Sequence, residues 1–118
     1  MPDELPVLDP ALLGKLRKLE AVAGAGLVRD VIALFLGPLE ARLGRLKSSV
    51  AAAACGALEE EAHALRGVAA QIGAAQVAAC CEQLESAGRG RDLRDAENMI
   101  ALLEAAAVRA RAALEKEA

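Results

Sequence analysis

The sequence predicts an all-α fold, an antiparallel up-and-down four-helix bundle with an extra short N-terminal helix. Three observations carry that prediction. Hydrophobic residues make up 55% of the chain and aromatic residues only 1%. Leu, Val, Ile and many Ala must therefore fill the core, and Ala and Leu are strong helix formers, whereas the aromatic residues favoured in strands are scarce. Apolar residues also recur at helical spacing over long stretches. Gly and Pro fall between those stretches, leaving short connections of the kind that join antiparallel helices.

The first helix is predicted over 10–21. Asp9 can cap its amino end, Pro10 suits the first helical position, and Leu12, Leu13, Leu16 and Leu19 recur at helical spacing before Gly24-Ala25-Gly26 breaks the pattern. A second helix is expected over 27–48, with Leu27, Val31, Leu34, Phe35, Leu39, Leu43 and Leu46 on one stripe. Pro38 interrupts it, so the segment is either kinked near 34–38 or split into two shorter helices in line. The third helix is placed at 50–72, ended by Gly73. The fourth is placed at 74–87, ended by Gly88-Arg89-Gly90. The fifth is placed at 92–115, carrying Leu93, Ile100, Leu103, Val108 and Leu114. At 118 residues the chain is read as a single domain.

Charge and composition exclude several classes of function. The 14 basic and 17 acidic side chains are scattered and sum to −3, with no basic stripe for nucleic acid and almost no aromatics for base stacking. No apolar run approaches the length of a membrane span, and the start Met1-Pro2-Asp3-Glu4 lacks the pattern of a secretory signal. A soluble, cytoplasmic, free-standing protein is expected. Cys55, Cys80 and Cys81 are an odd number without a second Cys-x-x-Cys or a histidine pair, so they are read as packed free thiols and no metal site is expected.

The third helix holds the chain's one histidine. On a helical wheel Leu58, Ala62, Leu65, Ala69 and Ile72 share one arc of about 80°, and His63 lies about 130° from its centre, so the imidazole faces outward. Its neighbours set it apart from an ordinary solvated histidine. Arg66 at i+3 can bring a guanidinium beside the ring and attract phosphate oxygens. Gly67 at i+4 costs about 1 kcal/mol relative to Ala within a helix. A bare patch for the close approach of another backbone would account for it, and close helix packing is the other explanation.

The run Ala62-His63-Ala64-Leu65-Arg66-Gly67-Val68-Ala69-Ala70-Gln71-Ile72-Gly73-Ala74 resembles the signature of histidine-containing phosphotransfer (HPt) domains. The likeness continues through Val77, Cys80, Cys81-Glu82-Gln83-Leu84-Glu85 and the turn-like Leu84–Arg89 run, and it extends to the helix order and to Phe35. Arg66 stands where many members have Lys, and Val68 where many have Ser.

The resemblance implies a phosphocarrier without kinase activity of its own, relaying a phosphoryl group between receiver-domain aspartates through His63, and Nε2, the exposed end of the ring, is the expected attacking atom. Arg66 would stabilise phosphoryl charge and Gly67 would give clearance for the receiver. Glu59, Ala70, Gln71 and Ala74 are expected at the docking surface, with Glu59 holding Arg66, orienting the ring, or simply solvated. The implied partners are response-regulator receiver domains or a hybrid sensor histidine kinase, and the chain would act as a monomer. No cofactor of its own is expected, Mg²⁺ being supplied by the receiver. Two competing readings are an HPt-like bundle that binds such partners without being phosphorylated, and a metal or redox site joining His63 to Cys80 or Cys81. An autonomous kinase is excluded by the lack of a glycine-rich nucleotide loop.

Overall fold

A computed structural model describes residues 4–118, and the expectation drawn from Met1, Pro2 and Asp3 lies outside them. The described residues form six helices: α1 (Pro10–Ala23), α2 (Leu27–Leu36), α3 (Leu39–Ala51), α4 (Cys55–Ile72), α5 (Ala75–Arg89) and α6 (Ala96–Glu117). The all-α bundle is made by α3, α4, α5 and α6, in which α3 packs on α4, α4 on α5, α5 on α6, and α6 back on α3. The α4–α5 pair is the most extensive of these contacts. The extra N-terminal helix α1 lies against α2 and α4.

Local chemistry explains the boundaries. Asp9 caps α1 by accepting a hydrogen bond from the Ala11 amide at 2.9 Å, with Pro10 at the first position. Gly24 and Gly26 take positive φ at the α1–α2 corner, and the Glu20 carboxylate accepts from the Val28 amide at 3.0 Å, satisfying a donor at the start of α2. At Gly37-Pro38 the chain divides into α2 and α3, because Pro38 has no amide hydrogen to continue the ladder. Arg111 of α6 donates to the Leu36 carbonyl at this break.

Three boundaries differ from the sequence reading. The α3–α4 turn falls at Ala52–Ala54 rather than near 49, with Ala53 at φ 54°. Left-handed backbone costs a non-glycine residue about 1–2 kcal/mol, and the alanine run carries no breaker that would reveal it. Gly88 lies inside α5 rather than ending it, and the helix closes at Gly90. Residues 92–95 precede α6 as a turn, where Asp92 accepts from the Arg94 amide at 3.2 Å.

The core confirms the α4 arc, since Leu58, Ala62, Leu65, Ala69 and Ile72 are all essentially inaccessible. They meet Val77 and Leu84 of α5, Leu103 and Leu114 of α6, and Leu39 and Leu46 of α3. On α2 the buried residues are Val28, Ile32 and Phe35, while Leu34 is 76% exposed. Leu34 therefore lies off the stripe assigned to it above, and Val108 of α6 is likewise exposed. An apolar residue beside the true seam shares its helical spacing without sharing its burial.

Candidate functional site

His63 projects from the middle of α4 with its side chain 65% exposed. Its Nδ1 lies 2.8 Å from Oε2 of Glu85, a residue of α5 whose side chain is only 6% exposed. A carboxylate accepts and does not donate, so Nδ1 must carry the hydrogen. The Arg66 Nη2 group lies 3.2 Å from the same nitrogen. An Nδ1 that donates to Glu85 cannot also accept from Arg66, so that guanidinium contact is an approach beside the ring rather than a second hydrogen bond. The consequence is chemical: in the neutral ring the hydrogen sits on Nδ1, and the lone pair is on Nε2.

Glu85 is the hub of this arrangement. Besides His63, its carboxylate is ion-paired with Arg66, whose Nε lies 2.9 Å away, and accepts from Arg89 Nη2 at 3.1 Å. Arg89 also donates from Nε to Glu59 at 2.9 Å, and this pairing raises the pKa of its guanidinium further above the ordinary range. Two arginines and two glutamates thus form one network of balanced charge around the imidazole. A buried carboxylate is tolerated only with such partners.

The closeness of α4 and α5 is what allows these bonds. A Cβ on Gly88 would lie 2.7 Å from the Cys55 carbonyl oxygen and 2.9 Å from the Glu59 amide nitrogen, so only glycine lets the end of α5 approach the start of α4 this closely. One turn earlier on α5, that approach places Glu85 under His63.

The residues named from sequence fall in different places. Arg66 is half-buried against Glu85 and beside the ring. Gly67 is exposed, and a Cβ there would meet no described atom within 4 Å, so helix packing does not require this glycine. Ala70 and Gln71 are exposed on the same helix. Glu59 pairs with Arg89 rather than with Arg66, and ring orientation falls to Glu85.

Ala74 is fully buried, which corrects its assignment to the docking surface. Helical geometry does not extend past Gly73, whose φ of 79° turns the chain inward under Asp9 and Leu12. Val68 packs partly against the core, which accounts for an apolar residue at that position. Cys80 and Cys81 are buried in the core. Burial, and then the neighbouring Cys80, push the Cys81 thiol up to about 12. An inaccessible neutral thiol and an exposed imidazole do not make a shared redox or metal site.

Glu85 and Arg89 were missed as site residues. One signal was present: with Cys81 and Gly88, Glu85 continues the buried seam of α5, and a carboxylate on a core face must have partners.

A family model described as the Hpt domain matches residues 30–113, from within α2 through most of α6. The chain therefore belongs to the Hpt family of histidine-containing phosphotransfer domains, and it is a phosphocarrier of two-component phosphorelays. Among solved structures it is similar to the crystal structure of histidine-containing phosphotransfer protein B (HptB) from Pseudomonas aeruginosa PAO1. The two share 27% sequence identity and a TM-score of 0.84, with 95% of this chain and 94% of that chain covered. A search of curated proteins gives no match. No helix among the described residues is long and apolar enough to cross a membrane.

Proposed function

We propose that His63 is the phosphoacceptor of this relay and that Nε2 is the atom modified. The carrying observation is the Nδ1–Glu85 hydrogen bond, which leaves Nε2 as the exposed nucleophile of the ring. In the forward step the Nε2 lone pair attacks phosphorus in line, the bond from phosphorus to the partner's aspartyl oxygen breaks, and that carboxylate departs with the electron pair. The Nδ1 proton stays in place, and Glu85 stabilises the positive charge that develops on the ring. Return of the phosphoryl group to an aspartate reverses each of these movements.

Arg66 lies beside the ring, where its guanidinium can meet the equatorial phosphoryl oxygens. Gly67 leaves the space one turn along α4 open for the partner's backbone. Ala70 and Gln71 continue that surface, and Glu59 supports it through Arg89.

The carboxylates nearest His63 are already engaged, Glu85 by His63 and two arginines and Glu59 by Arg89, so neither is free to hold a divalent cation. That supports the reading in which Mg²⁺, which would neutralise phosphoryl charge, is supplied by the partner receiver. The partners are receiver domains of response regulators or of a hybrid sensor histidine kinase, and the protein acts as a cytoplasmic monomer without kinase activity of its own.

Incubation with a phosphorylated receiver domain tests the reading. Acid-labile, alkali-stable label is expected on the wild type and not on His63→Gln. Undiminished label on that variant would overturn it, and a receiver that binds without any transfer would favour a purely binding module.

A further inference from the structure

Phosphorylation changes what the site must balance. In the resting protein Arg66 and Arg89 offset Glu85 and Glu59, and a phosphoryl group on Nε2 adds a charge of about −2. The substituted ring then has one nitrogen left to titrate, Nδ1, and that nitrogen faces Oε2 of Glu85 at 2.8 Å. A carboxylate has no hydrogen to offer it, and burial together with the Arg89 bond holds Glu85 in place. Loss of the Nδ1 proton would set a lone pair against an acceptor at that distance and leave the added phosphoryl charge unrelieved. Keeping the proton preserves the hydrogen bond and returns one positive charge to the site.

The charged groups facing the ring come from two helices. α4 supplies Arg66, whose Nη2 lies 3.2 Å from Nδ1, and α5 supplies Glu85 with Arg89 beside it, itself tied to Glu59. On the α3 side of α4, Arg45 is paired with Glu61 at 3.1 Å, and α2 turns Val28, Ile32 and Phe35 to the core. α1 meets α4 at Gly73, about 15 Å along the helix from His63. Arg66 is thus the near group that opposes a positive ring, and phosphoryl oxygens on Nε2 give it a second partner. An Arg66 turned toward them releases Oε1 of Glu85 and leaves that carboxylate to Nδ1–H and Arg89.

Resting on the phosphoacceptor reading above, we infer that Glu85 holds the proton on Nδ1 of phosphorylated His63 through neutral and mildly alkaline pH, and that this proton keeps the carrier able to discharge. It matters at the leaving group. When the bond from phosphorus to Nε2 breaks, its electron pair passes to Nε2. With Nδ1 protonated the product is neutral imidazole, in the tautomer of the resting protein, whereas a deprotonated ring would have to leave as the far more basic imidazolate. The phosphoryl group forms its new bond to an aspartyl oxygen of the receiver, or to water, whose two protons stay on the phosphate released. Glu85 is a positioning residue in this scheme, acting on phosphorus through the ring.

The test charges the wild type and Glu85→Gln with ammonium phosphoramidate, which needs no partner, removes the donor, and follows loss of the phosphohistidine by phosphorus NMR from about pH 5.5 to about pH 9.5. Glutamine keeps the shape of the site, and its amide can turn to donate to a deprotonated Nδ1, so it accepts either form of the ring. Decay of the variant should fall about tenfold per pH unit from about pH 7 upward, while decay of the wild type should stay level for at least about one pH unit further. Coincident profiles in two folded proteins, checked by thermal melts, overturn the inference. The Nδ1 nitrogen shift of the phosphorylated wild type gives a reading that needs no variant. A protonated nitrogen at about pH 8 is expected, and a nitrogen with a free lone pair there overturns the inference. Phosphorus found anywhere but on Nε2 of His63 is visible in the same spectra; it strikes the phosphoacceptor reading, and this inference with it.

Discussion

Glu85 and His63 stand on different helices, yet Oε2 of the one lies 2.8 Å from Nδ1 of the other, so α5 determines which nitrogen of an α4 histidine is free. Glu85→Gln can still accept from Nδ1–H through its amide oxygen but loses the charge that favours a cationic ring. Transfer to this variant should slow about tenfold, equivalent to about 1.4 kcal/mol at the transition state. Glu85→Ala should also lower stability by about 2 kcal/mol, because Arg66 and Arg89 lose a shared partner. Rapid-quench transfer assays and urea unfolding measure the two effects.

The two arginines should separate by position. Arg66 lies beside the ring, while Arg89 bridges Glu85 and Glu59. Arg66→Ala is expected to reduce the transfer rate about tenfold or more with the fold intact. Arg89→Ala should have a smaller effect on rate, and its mark should be greater mobility of the His63 ring, visible in side-chain nitrogen NMR.

Two glycines should respond in opposite directions. Gly67→Ala adds a methyl group in open space and should stabilise the fold by about 1 kcal/mol through helix propensity. Gly67→Leu should preserve the fold but obstruct the receiver and abolish transfer. Gly88→Ala forces α5 away from the Cys55 carbonyl and should cost about 1–3 kcal/mol. Thermal unfolding ranks all three.

Alkaline pH probes the core. The Cys81 thiol, ordinarily near 9.0, is pushed up to about 12 by burial, so the folded state holds this proton after the unfolded chain has released it. The stability linked to it is complete below pH 9 and is lost as pH rises toward 12, at about 1.4 kcal/mol per pH unit for one proton. Urea unfolding at about pH 8 and about pH 10.5 should show this loss, and Cys81→Ala should flatten it.

Most of the bundle was legible because local signals and packing agree. The arc from Leu58 to Ile72 is both helix-periodic and buried, and Asp9-Pro10 marks a start that the structure uses. Ala53 was not legible, since its left-handed turn is imposed by the packing of α3 and α4 on residues that would otherwise continue a helix. Ala74 was misplaced because helical geometry ends at Gly73. His63, Arg66 and Gly67 lie within one helical turn, so local spacing exposed them. Glu85 and Arg89 reach the site only through the contact of α5 with α4, a relation that no spacing along the chain contains.

The central claim is that Glu85 holds Nδ1 so that Nε2 takes the phosphate. Phosphorus–nitrogen correlation NMR of the ¹⁵N-labelled protein, phosphorylated by its receiver, measures this directly. Phosphorus coupled to Nε2 of His63 is the predicted result. Coupling to Nδ1, or a phosphoryl group on any other residue, would contradict it.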